Sequence, residues 1–275
     1  MSVKNFSPKV WSSRIDQSLD EFLVAAEGCN TEYEGEIKEA GDQIRVQQAI
    51  RPTILEDHEG KPIDMSTPED PDGTTLAMDI IHQAAFNYSI PNIDEAQAKG
   101  NLGSALKQEV TQGMANAIDK RILVLAGEKG VLAKSASTQI TKDNILNFVN
   151  KGMQALYEKN VPANSELELL ISPAFHTVFL EAYAKLNTNN PEVLKRGTVG
   201  FYGNATVKLT NNLFNDNTDD FCIIRTKKAF AFAKPLIKTE ALKNPSRMGD
   251  TIRGTTLYGC KVMRPAEAYV LRAHI

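Results

Sequence analysis

The sequence is poor in the residues that carry most catalytic and metal chemistry: it has three cysteines, four histidines and one tryptophan in 275 residues. Cys29, Cys222 and Cys260 are odd in number and far apart. That argues against a disulfide framework and against metal-ligand spacing, and reads as reduced, partly buried thiols. The histidines, His58, His82, His176 and His274, are dispersed. His58 stands beside Asp57 in an acidic stretch and reads as a solvent-facing side chain, whereas His176, next to Phe175 near a helix start, reads as capping or surface packing. There is no H-E-x-x-H pair, P-loop, G-x-S-x-G elbow or dinucleotide fingerprint. Gly200-Phe201-Tyr202-Gly203-Asn204 lacks both the glycine spacing and the Lys-Ser/Thr of a phosphate loop, so a turn between strands is expected there. No catalytic residue, cofactor or metal site is therefore expected, and the chain does not read as an enzyme.

A basic excess is missing too. The formal net charge is -3, which gives no support to a nucleic-acid-binding surface. Apolar runs are short: Ile122 to Ala126 and Ala229 to Ala233 fall well below a bilayer span. Met1 to Trp11 carries Lys4 and Lys9 without an apolar core, unlike a secretory signal. A soluble product made inside a cell, with no membrane partner, is expected. What remains is ordinary globular composition, 42% apolar and 24% charged, with enough length to bury a sizeable core.

Periodicity supplies the elements. Ser13, three residues before Asp16, opens a helix with Ile15, Leu19, Phe22, Leu23 and Ala26 on one face and a stop near Gly28. Gln43 to Ile50 alternates like a strand, and Thr74 to Ile90 is a second extended segment. Between them, Glu56 to Asp72 holds seven acids and one lysine, Lys61, interrupted by prolines. Such a stretch builds no core of its own, so the whole reads as a long protruding hairpin. The strongest helix runs from Asn101 to Leu125, with Leu102, Leu106, Val110, Met114, Ile118 and Ile122 at three- and four-residue steps. Asp119, Lys120 and Arg121 are assigned to its other faces.

A flexible linker, Glu128 to Gln139, leads to an α/β segment. Thr141 is its first helix cap, Glu166 to Ile171 a strand, and Ser172-Pro173 an N-cap with proline at the first helical position. Strands follow at Thr198 to Phe201, Thr206 to Leu209, Phe221 to Arg225, Ala229 to Leu236, Thr255 to Met263 and Glu267 to Arg272. The acidic clusters at Asp64 to Asp72 and Asn215 to Asp220 lack an EF-hand ligand pattern and read as hydrated surface.

The order of these segments resembles the major capsid proteins of tailed bacteriophages, whose fold encapsulins share. Tyr33-Glu34-Gly35-Glu36-Ile37 followed by Ala40-Gly41-Asp42-Gln43-Ile44 is similar to the opening of the family's extended loop. Asp94-Glu95-Ala96-Gln97 is similar to the approach to its spine helix. Tyr258-Gly259-Cys260-Lys261-Val262-Met263-Arg264-Pro265 is similar to its closing strand. Each motif is short, but together they run in order from about Phe6 to Arg272.

The resemblance implies an α+β, HK97-like major capsid fold. Its parts would be an N-terminal arm (1–30), an extended loop (31–90), a peripheral domain with the spine helix (91–139), an axial domain (140–225) and returning peripheral strands (226–275). It implies a structural subunit of an icosahedral virion shell, assembled in the host cytoplasm as hexamers and pentamers. That shell encloses double-stranded DNA without reading its sequence, and mild acidity suits such a wall. The implied partners are other copies of the chain and a portal protein, with a separate scaffolding protein, protease and decoration proteins admissible. A charged segment ahead of the arm is absent, which favours separate scaffolding or none. Lys61 has no identifiable crosslinking partner. The alternative is an encapsulin-type nanocompartment.

Overall fold

The computed structural model describes residues 23–32, 43–48, 74–91, 102–185, 200–243 and 249–275. Its long helix, α1, spans Leu102–Val124, as the periodicity predicts. Met114, Ile118 and Ile122 enter the main core with Phe230, Phe232, Tyr258 and Val262. Those four belong to, or adjoin, an antiparallel sheet of β3 (His82–Pro91), β10 (Phe230–Lys243) and β11 (Gly249–Val262), in the order β10-β11-β3. Along β3 the pleat separates two surfaces: Ala84 and Phe86 pack against the core, while Gln83, Ala85, Asn87 and Ser89 are exposed.

The second sheet joins β4 (Ala133–Lys134), β5 (Thr138–Gln139), β6 (Leu167–Ile171), β7 (Phe201–Tyr202), β8 (Ala205–Leu209), β9 (Asp220–Thr226) and β12 (Ala268–His274). Its path is β4-β12-β9-β6-β8-β7, with β5 also on β12. Two cores meet it. Leu170, Phe221, Ile223 and Val270 face the α1 side. Leu169, Ile171, Cys222, Ile224 and Leu271 face α2 (Ile145–Tyr157) and α3 (Pro173–Lys185). Burial on both faces explains why Leu169 to Ile171 and Phe221 to Ile224 read as apolar runs, with Glu168 the one charge inside β6. Ser172 caps α3 as expected, its Oγ accepting the Phe175 N–H at 3.1 Å.

Several expectations need correction. Asp119 is not on an outward face of α1; it is 1% exposed. Glu128 to Gln139 is not a free linker, because β4 and β5 pair in parallel with β12. Ser135 adds a backbone bond to Val270 and, through Oγ, accepts the Arg272 N–H. Thr141 does not cap α2 with its side chain; Asn144 reaches back to accept the Thr141 N–H at 2.8 Å. The expected last strand is present as β12 and pairs with β9, its apolar residues serving both cores.

Thr74 to Ile90 is two strands rather than one arm. β2 (Thr74–Asp79) pairs with β1 (Gln43–Gln48) in a two-stranded ribbon. After Ile80 and Ile81 the chain re-enters the body as β3 against β11. The Ser13 helix up to Phe22, Tyr33 to Gly41, the acidic stretch with His58 and Lys61, Asp94 to Gln97 and the Asn187 to Pro191 loop lie outside the described residues, and Leu23 to Gly28, expected to end that helix, is a turn. No described helix is long and apolar enough to cross a membrane.

Gly113 sits mid-helix in α1 with nothing within 4 Å of where a Cβ would stand. Gly113→Ala should therefore raise stability by about 0.5–1 kcal/mol, read as a higher melting temperature of the isolated protein.

Candidate functional site: a buried clamp on the N-terminal segment

Among the described residues no group of three or more His, Cys, Asp or Glu side chains is arranged to hold a metal. Arg121 Nε donates to His82 Nε2 at 3.3 Å, and His82 also lies against the Tyr258 ring, with centroids 5.6 Å apart. Burial, with Arg121 beside it, lowers the His82 pKa. His274 Nδ1 lies 2.8 Å from the Thr218 carbonyl oxygen, and His176 is half-buried on α3.

Gly203 is the turn glycine between β7 and β8, at φ 59°. The Asn215 to Asp220 cluster is partnered partly within itself and partly by Ser137 and Arg272. Asp216 accepts the backbone N–H groups of Thr218 and Asp219, and Asp219 accepts from Ser137 Oγ and Arg272 Nη2, each at 2.7 Å.

A further set of buried charges lies around Arg225. β9 is apolar from Phe221 to Ile224 and then presents Arg225, which is 0% exposed. Arg225 Nε donates to Glu168 Oε2 on β6 at 2.7 Å. Its Nη1 donates to Cys29 Sγ at 3.3 Å, and its Nη2 to the Ala25 carbonyl. The guanidinium carbon also stands 5.1 Å from the Phe230 ring centroid. Lys208 on β8 closes the outer side: Nζ is 2.9 Å from Glu168 Oε1, without hydrogen-bond geometry, and 2.6 Å from Glu27 Oε2.

The segment held this way is residues 23–30. Asp119 grips it from the opposite side, accepting the N–H groups of Val24, Ala25 and Ala26 at 2.8, 3.1 and 3.3 Å. One carboxylate thereby does for this turn what an N-cap does for a helix. Gly28 allows the closest approach; a Cβ there would fall 1.9 Å from Glu168 Oε2. Asn30 completes the attachment by exchanging backbone bonds with Phe230 and Phe232. Burial pushes the Asp119 carboxyl up, against the pull of the three N–H donors and Arg225. Burial would lower the Arg225 pKa, but Cys29 and Glu168 outweigh it and the net shift is upward. The clamp is a weld between three separated parts of the chain: the N-terminal segment, α1 and the seven-stranded sheet.

Sequence reading missed this site. Asp119 follows Ile118 and precedes Lys120-Arg121, so the charge run hid an inward position. The available signal was Arg225 closing an otherwise apolar strand, which calls for a buried partner. The three thiols are free, as expected, with Cys29 and Cys222 buried. Burial pushes the Cys222 and Cys260 thiols up to about 12.

No protein-family model matches the sequence, and no curated protein does. Solved structures do. One titled Mycobacterium phage Che8 is similar at TM-score 0.77 and 21% identity, covering 90% of both chains. The capsid of Ralstonia phage GP4 is similar at 0.65 and 14% identity, covering 92% of this chain and 89% of that one. A virus-like particle from Pyrococcus furiosus is similar at 0.59 and 14% identity, over 96% and 98%. The mixed α/β fold is thus one that these solved structures share.

Two outcomes are expected of the clamp. Arg225→Met should cost about 3–5 kcal/mol by stranding Glu168, and adding Glu168→Met should recover most of it; urea unfolding of the isolated protein measures both. Native thiols should resist alkylation at pH 8 and react only on unfolding, which mass spectrometry of the labelled protein reads.

Proposed function

We propose that the chain is a structural, non-enzymatic subunit that assembles with copies of itself into the icosahedral head of a tailed phage, enclosing double-stranded DNA in the virion. The observation that carries this reading is the likeness, over about nine-tenths of both chains, to structures titled as phages or phage capsids. The site supports it, because a buried weld between separated parts of the chain suits a structural subunit. On this reading residues 1–30 are the arm, the β1–β2 ribbon is the root of the extended loop, α1 is the spine, and the α2–α3 lobe is the axial domain. Hexamers and pentamers, a portal, and any separate scaffolding, protease or decoration proteins are its proposed partners. A nanocompartment shell is the second reading. The virus-like particle supports it at a lower TM-score, 0.59 against 0.77, so the phage head is preferred.

The loop's acidic sequence calls for basic partners on a neighbouring copy. Among the basic residues of and near the returning strands, Arg253 pairs with Glu240 at 2.6 Å and Arg264 with Glu267 at 2.9 Å. Lys227 and Lys228 are exposed, and Arg247 lies outside the described residues.

The expressed protein should form closed particles of megadalton mass, seen by native mass spectrometry and electron microscopy. Deletion of Glu56 to Gly73 should abolish them, and raising salt should slow their formation. A monodisperse single-chain species at all concentrations would defeat the reading, and normal shells from the deletion would defeat a role for the loop in joining copies.

A further inference from the structure

The β1–β2 ribbon leaves the body through two residues, Ile80 and Ile81, yet its root is not a loose hinge. Met78 and Ile80 are 0% and 1% exposed and pack into a socket of Ala231, Ala233 and Met263. The socket forms where β10 breaks register against β11 between Ala233 and Leu236. Pro235 stands at that break and has no N–H to donate to the ladder. Lys261 of β11 reaches across to donate its Nζ hydrogen to the Ala77 carbonyl. The floor is Gly259. A Cβ there would stand 2.9 Å from the Asp79 carbonyl oxygen and 3.2 Å from Ile80 Cγ1. The first is a backbone atom, so even one methyl group would force the ribbon root outward.

We infer that this socket is a rigid mount, in which Gly259, Lys261 and the buried Met78–Ile80 root fix the direction in which the ribbon projects from the body. Resting on the shell reading, the mount sets the angle at which one copy meets the next, and so the curvature of the particle. The ribbon acts as a lever. Its far end at Gln48 lies five strand steps from the root, about 17 Å, so a tilt of about 10° moves it about 3 Å.

The test is a distance measurement on the unassembled protein. Spin labels are placed at Gln48→Cys on the ribbon and Lys142→Cys on the body, with the half-buried Cys260 replaced by serine and Cys29 and Cys222 left buried. The wild-type background should give one narrow distance distribution, and Gly259→Ala should shift it while circular dichroism stays unchanged. A broad wild-type distribution, or a folded Gly259→Ala variant with no shift, overturns the mount. If Gly259→Ala does not fold, Lys261→Met decides: it removes one tether without adding bulk, so a broadened distribution supports the mount and an unchanged one overturns it. Particles grown from Gly259→Ala should differ in diameter from wild type, and identical diameters overturn the link to curvature. Failure of the wild type to assemble overturns the shell reading alone, because the distances are read without assembly.

Discussion

A strand buried on both faces can end in a charge only if that charge is fully partnered, because an isolated guanidinium in such a place is prohibitively desolvated. β9 is that strand and Arg225 is that charge. Its donors must therefore find acceptors within reach, and those come from β6 (Glu168) and from residues 25 and 29 of the N-terminal segment. Removing Arg225 from water thus obliges a segment nearly 200 residues away in sequence to dock. Asp119 applies the same constraint from α1, since a carboxylate at 1% exposure needs donors and takes three from the same turn. The long helix, the seven-stranded sheet and the N-terminal segment are held in one arrangement by polar groups that have nowhere else to go.

Elements governed by local periodicity were legible in the sequence. α1 followed from Leu102 to Ile122 at helical steps, α3 from Ser172-Pro173, and β6 and β9 from their apolar runs. The features that escaped depend on tertiary partners. Asp119 looks solvent-facing until the segment it caps is in place. Even-step alternation from Thr74 to Ile90 continues straight through Ile80, so a reading by period does not show that β2 and β3 join different sheets. β12 alternates in a way that suits either sheet, and only its register with β9 chooses between them. The clamp itself left one trace, a charge closing an apolar strand.

Sequence identity of 21% with a TM-score of 0.77 is intelligible in the same terms. What the fold requires is a pattern: a helix with one apolar stripe, strands apolar on both faces, and closed polar sets where charges are buried. Many sequences satisfy that pattern.

The ribbon shows where the single chain stops being sufficient. Among the described residues β1 pairs only with β2, and two strands alone are marginal in water. Its root is buried in the body, but Ile81 at the corner is 69% exposed. A two-stranded element with open edges invites either uncontrolled pairing or a designated partner. A closed assembly of identical chains supplies that partner at every copy, and a rigid root ensures that each ribbon arrives at the same place. Rigidity at the root and dependence at the far end are therefore complementary: a ribbon free to swing would have to be ordered again at every interface, with an entropic cost repeated around the whole assembly.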